Sequence, residues 1–130
     1  MMRNAILVVE DRQTIRNAII QALDDQGFVG IPAANGQEAL DYLNAGGGAD
    51  VIVLDLMMPV MDGWTFRRAQ RALPHIAKIP TIIVSALDGR PFDGATPAAA
   101  VFRKPVDIQA LVATVRSLCR NSQPVEVAGC

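Results

Sequence analysis

The chain has 130 residues, of which 51% are apolar and 19% charged, with a formal net charge of −1. This length suits one domain that buries roughly two-thirds of its unfolded surface, and the composition excludes a disordered or fibrous chain. The near-neutral charge, without a basic patch, gives no electrostatic footprint for nucleic acid, and the longest apolar runs are too short to span a bilayer.

The start, Met1-Met2-Arg3-Asn4, leads into only five apolar residues and then acids, which is not a signal peptide. Cys119 and Cys130 have neither metal-ligand spacing nor the density of a disulfide scaffold. A cytoplasmic location, without membrane association, is expected.

Ala5–Val9 is an apolar run that ends in Glu10-Asp11. Ile15, Ala18, Ile19, Ala22 and Leu23 then repeat at helical spacing, and Gly27 ends the helix. Residues 28–34 read as a weaker strand, placed at a sheet edge by Pro32. Asn35 with Glu38 resembles a capping box for a helix that runs through Leu43 and closes at Gly46-Gly47-Gly48.

Residues 51–54, Val-Ile-Val-Leu, form an unbroken apolar run, rich in β-branched side chains, of the kind buried on both faces of a parallel sheet. The run hands over to Asp55 and a loop punctuated by Pro59 and Gly63. A helix is expected over 64–73, with Arg67, Arg68 and Arg71 on a solvated face; Trp64 is assigned to packing or partner contact and His75 to a solvated loop. Residues 79–84 are the next buried run, followed by Ser85, and residues 101–103 are a short last strand closed by Lys104-Pro105.

Asp107 caps a final helix with the stripe Ile108, Leu111, Val112, Val115 and Cys119. Residues 121–130 show no period and read as a flexible tail, which leaves one domain over 1–120. Strands alternating with helices define an α/β fold, here a flavodoxin-like (βα)5 three-layer sandwich with a parallel five-stranded sheet in the order 2-1-3-4-5. The helix due between the fourth and fifth strands is expected to be short or missing, because Gly89, Pro91, Gly94 and Pro97 interrupt it.

Glu10-Asp11, Asp55, Ser85 and Lys104 each lie just past a buried run, on four different strands. Parallel strands end on one edge, so these side chains converge. Clustered carboxylates repel one another unless a cation intervenes, and Mg²⁺ selects oxygen ligands of this kind. Carboxylates, Mg²⁺, a lysine and a hydroxyl together meet the needs of phosphoryl transfer, in which an aspartate can itself be the nucleophile.

With these residues in this order, the chain resembles the receiver domain of bacterial two-component response regulators over about residues 4–120. The carriers are Glu10-Asp11, Asp55 in L-D-L-M-M-P-V-M-D-G, Ser85-Ala86 and Lys104-Pro105. The resemblance implies that Asp55 accepts a phosphoryl group from a histidine kinase or a histidine phosphotransfer protein. It further implies Mg²⁺ held by Glu10, Asp11, Asp55 and the Met57 carbonyl, Ser85 and Lys104 on the phosphoryl oxygens, and a cis Lys104-Pro105 bond. The implied protein is a single-domain regulator, monomeric or weakly dimeric, that acts on a downstream protein target. It is no enzyme beyond its own phosphorylation and dephosphorylation.

Two features depart from the family pattern. Val101 stands where a switching aromatic is usual, with Phe102 on the opposite face of its strand, and the Ser85–Lys104 interval is short. Residues 86–100 are therefore expected to carry the signal by a change of order. A phosphorylation-independent interaction module of the same fold is the alternative reading. A haloacid-dehalogenase-type phosphohydrolase would need an acid where Met57 stands, a flavodoxin-type phosphate loop is incompatible with Glu10-Asp11-Arg12, and no G-x-G-x-x-G marks a dinucleotide site.

Overall fold

A computed structural model describes residues 3–86 and 98–119. Five parallel strands, β1 (Ala5–Val9), β2 (Val29–Ala33), β3 (Val51–Asp55), β4 (Thr81–Ser85) and β5 (Ala100–Arg103), form one sheet in the order β2-β1-β3-β4-β5. Among the described residues four helices flank it: α1 (Gln13–Asp25), α2 (Gly36–Asn44), α3 (Gly63–Ala72) and α4 (Ile108–Cys119). This is the flavodoxin-like order that the apolar runs imply. The expected loop over 86–100 falls largely, and the tail over 121–130 entirely, outside the described residues.

Alternation along the central strands sorts the core into two halves. Ile6 and Val8 of β1 and Val51 and Val53 of β3 face α1 and α4, where they meet Ile19, Leu23, Leu111 and Val115. Leu7, Val9, Ile52 and Leu54 point the other way, onto Leu40, Leu43 and Phe66 of α2 and α3. Both faces of these strands are covered, which is why their sequences are continuous apolar runs and not alternating ones. Pro32 sits in β2 at the sheet edge, opposite Val8, where its missing donor costs no ladder bond.

Local chemistry sets the helix ends. Asn35 Oδ1 accepts the Glu38 N–H at 2.9 Å, and Glu38 Oε1 accepts the Ala34 N–H at 2.9 Å, a capping box closed one residue upstream of the usual partner. Asp62 caps α3 through the Thr65 N–H at 2.8 Å, and Asp107 caps α4 through the Ala110 N–H at 3.1 Å. The Lys104-Pro105 bond is cis. Val101 is 47% exposed while Phe102 packs against the α1–α4 half of the core, so the two do occupy opposite faces of β5.

Arg67 corrects the sequence reading. It does not join Arg68 and Arg71 in solvent but is buried, donating to Gln70 Oε1 at 2.7 Å and Thr81 Oγ1 at 3.4 Å. Gln70 Nε2 in turn donates to the carbonyls of Ile76 and Ile79 at 3.0 and 3.1 Å. Helical spacing places Gly63, Phe66, Arg67 and Gln70 on one inward stripe, so a cation rides the buried face of α3 beside an apolar neighbour. Burial, then the nearby Arg71, lowers the Arg67 pKa from its ordinary value.

The loop from β3 to α3 is tightly drawn. The Gly63 N–H donates to the Leu56 carbonyl at 2.9 Å, and a Cβ on Gly63 would lie 2.6 Å from the Asp55 carbonyl oxygen. Val60 has φ 70°, with the Met61 N–H bonded to the Pro59 carbonyl at 2.8 Å, which makes Val60 the centre of a γ-turn. A β-branched residue is a poor occupant of the left-handed region.

Two substitutions in this loop should act in opposite directions. Gly63→Ala is expected to destabilise the fold by ~2 kcal/mol, since backbone must move to admit the methyl group. Val60→Asn is expected to stabilise it by ~1 kcal/mol by relieving the left-handed valine. Urea unfolding of the two variants beside the parent measures both, and an unchanged Gly63→Ala midpoint would contradict the close approach.

Candidate functional site

The strand register builds the site. Val9 pairs with Leu54, so the next residues, Glu10 and Asp55, lie side by side at the carboxyl edge of the sheet. Asp55 pairs with Val84 and Ser85 with Arg103, which brings Ser85 and Lys104 to the same edge. The Lys104 N–H donates to the Ser85 carbonyl at 2.9 Å.

Lys104 Nζ donates to Glu10 Oε1 at 2.9 Å and to Asp55 Oδ2 at 3.2 Å. Both carboxylate side chains are only 3% exposed, whereas the lysine retains 18%. Carboxylate oxygens of Glu10, Asp11 and Asp55 all lie within 4.8 Å of one another. Three acids thus face one ammonium, a donor set of hard oxygens with surplus negative charge, which suits a hard divalent cation.

Glu10 is the most constrained of the acids. Its N–H donates to the Ala33 carbonyl at 3.0 Å, and its Oε2 accepts the Arg12 N–H at 3.1 Å. Its own carbonyl accepts Arg16 Nη1 at 2.8 Å. Burial, with the Asp55 charge and the neighbouring Asp11 carboxyl adding to it, holds the Glu10 pKa above the ordinary value of 4.5 despite the Arg12 N–H and Lys104. For Lys104, burial pulls downward, but the bonds and charges of Glu10 and Asp55 outweigh it and the pKa is raised.

Asp55 Oδ1 accepts the Met57 N–H at 3.2 Å, so each of its oxygens has a donor. Asp55, Asp11, Met57 and Lys104 line an open cleft of about 760 Å³. One wall is apolar: Ile15 and Ala18 from α1, Pro105 and Val106 ahead of α4, and Ile108 at its start. Ser85 is buried at the end of β4, and it is the next residue, Ala86, that lines the cleft. The register therefore brings Glu10, Asp11, Asp55 and Lys104 into direct association, with Met57 bonded to Asp55 through its backbone. Ser85 is buried at the same edge of the sheet.

A family model described as the response regulator receiver domain matches residues 6–116. The chain belongs to that family. Receiver domains serve generally as phosphoacceptors in two-component systems, bind Mg²⁺ at an acidic pocket and interact with histidine kinases and downstream effectors. This receiver is 37% identical over 122 residues to the response regulator PleD of Caulobacter vibrioides, covering 92% of this chain and 27% of that protein. It is 34% identical over 129 residues to the alkaline phosphatase synthesis transcriptional regulatory protein SphR of Synechococcus elongatus, covering 91% of this chain and 49% of that one.

The receiver therefore spans about half, or less, of these curated relatives. Among solved structures, the receiver domain of the Francisella response regulator 1452 matches with a TM-score of 0.84 at 29% identity, covering 93% of this chain and 100% of that one. The chemotaxis protein CheY4 of Vibrio cholerae matches with a TM-score of 0.79 at 28% identity, covering 89% and 98%.

Three features of the site escaped the sequence reading: the Arg16 contact, the apolar wall of the cleft, and the strained Val60 in the loop after Asp55.

The raised Glu10 pKa has a defined consequence for stability. An acid raised on folding contributes stability in full below its ordinary pKa of 4.5 and loses it as pH rises through the raised value. In EDTA, the stability of the parent relative to Glu10→Gln is expected to fall between about pH 4 and about pH 7. Urea midpoints at the two pH values measure it, and a constant difference would contradict the burial argument.

Proposed function

We propose that this receiver is a Mg²⁺-dependent phosphoacceptor in a two-component phosphorelay, with Asp55 as the acceptor. The observation that carries the reading is the shared ammonium. Lys104 joins the buried Glu10 to Asp55, which lines an open cleft, leaving a desolvated, oriented carboxylate beside surplus acid.

In the proposed reaction an Asp55 carboxylate oxygen attacks the phosphorus of a phosphohistidine on a kinase or phosphotransfer protein. The P–N bond breaks, and its electron pair stays with the imidazole nitrogen. Lys104 and the Met57 N–H hold the two Asp55 oxygens, which fixes the plane of the nucleophile before the donor arrives. Lys104 then offers its charge to the phosphoryl oxygens, and the Ser85 hydroxyl is the neutral donor beside it.

Glu10, Asp11, Asp55 and the Met57 carbonyl would hold Mg²⁺, which when bound neutralises the acids and the charge on the transferred group. Attack by water on the acyl phosphate regenerates Asp55 and releases phosphate, so the chemistry is confined to the protein's own phosphorylation and dephosphorylation. Conversion of the Asp55 carboxylate to an acyl phosphate replaces its single negative charge with roughly −1.5 to −2 and brings strong acceptor oxygens that compete for Lys104, and a downstream protein reads the resulting surface.

The donor chemistry belongs to the cytoplasm, and no described helix is long and apolar enough to cross a membrane. A monomer or weak dimer suffices, since every group named lies on one chain.

Incubation with acetyl phosphate, with Mg²⁺ or EDTA, followed by intact mass, tests the reading. One phosphoryl group is expected on the parent with Mg²⁺, and none on Asp55→Asn or in EDTA. Equal incorporation into Asp55→Asn would sink it.

A further inference from the structure

Arg16 lies in the first turns of α1, outside the ring of carboxylates, yet its guanidinium reaches back to the segment that carries them. Arg16 Nη1 donates to the Glu10 carbonyl at 2.8 Å and lies 3.5 Å from the Asp11 carbonyl. These are the two backbone carbonyls of the acidic pair. From the geometry we infer that Arg16 is a positioning residue for the cation site: it holds the peptide units of Glu10 and Asp11 so that both carboxylates stay beside Asp55. The inference rests on the proposed Mg²⁺ site and adds to it a member that touches neither ion nor phosphoryl group.

The physical case has three parts. The segment between β1 and α1 is very short, and α1 starts without a side-chain cap, so local capping does little to orient it. Glu10 is otherwise tied through its N–H to Ala33, through Oε2 to the Arg12 N–H and through Oε1 to Lys104. The Glu10 peptide carbonyl is left for Arg16, and rotating that peptide unit would swing Asp11 relative to Glu10.

Charge is the third part. A guanidinium held against the backbone of the acidic pair opposes carboxylate repulsion without occupying a carboxylate oxygen, so the ligand atoms stay available. Both contacts are made by one nitrogen, Nη1, so a lysine ammonium could reproduce much of them. Outer partners that orient metal ligands typically contribute 10- to 100-fold in metal affinity.

Isothermal titration calorimetry with Mg²⁺ on the full chain, with no phosphodonor present, tests the inference. The parent is compared with Arg16→Met, which keeps the stem and removes the donors, with Arg16→Gln, and with Arg16→Lys. Arg16→Met and Arg16→Gln are expected to bind Mg²⁺ about tenfold more weakly, with Arg16→Lys recovering most of the loss. Melting curves in EDTA record folding separately.

Parental Mg²⁺ affinity in a folded Arg16→Met overturns the positioning role while leaving the metal site standing. Unfolding of both Arg16→Met and Arg16→Gln in EDTA also overturns it, in favour of a purely structural role. A parent that binds no Mg²⁺ overturns the metal reading and this inference together.

Discussion

One ammonium shared by two buried carboxylates is the constraint on which the carboxyl edge of this sheet depends. Glu10 and Asp55 lose most of their hydration because their strands are covered on both faces, and Lys104 is the cation that compensates them. Its position is a product of pairing register across four strands, so the site is a property of the whole sheet. Any slip of β5 against β4 would withdraw the lysine from both acids together. Fold and chemistry are coupled here through one hydrogen-bonding group.

Much of this was legible in the sequence because two simple regularities act together. A strand buried on both faces writes itself as an apolar run, and the first polar residue after it marks where the sheet ends. Parallel strands share that end, so Glu10, Asp11, Asp55, Ser85 and Lys104 could be gathered without coordinates. Asn35 and Asp107 were readable as caps because their side chains bond only a few residues ahead.

What was not legible has equally physical causes. Arg67 reads as a surface cation because charge conceals the inward stripe it shares with Phe66 and Gln70. The Arg16 contact is made to backbone carbonyls, which are the same atoms whatever the residue, so no complementary side chain announces it. Val60 occupies a left-handed γ-turn against the preference of its own side chain, so propensity points the wrong way. Ser85 lies at the edge, but its burial there, with Ala86 as the residue that lines the cleft, depends on how the strand exits, and periodicity does not describe that.

The two halves of the core have a further implication. The sheet separates them, and its odd and even residues belong to different packing problems: Ile6 and Val8 to one, Leu7 and Val9 to the other. A change of side-chain volume at Val53 can be absorbed by Leu111 or Val115, but not by Phe66, which lies across the backbone. Compensating substitutions in this lineage should therefore arise in pairs confined to one side. A catalogue of tolerated double changes would divide into two nearly independent sets, with neighbours in the chain drawn from different sets.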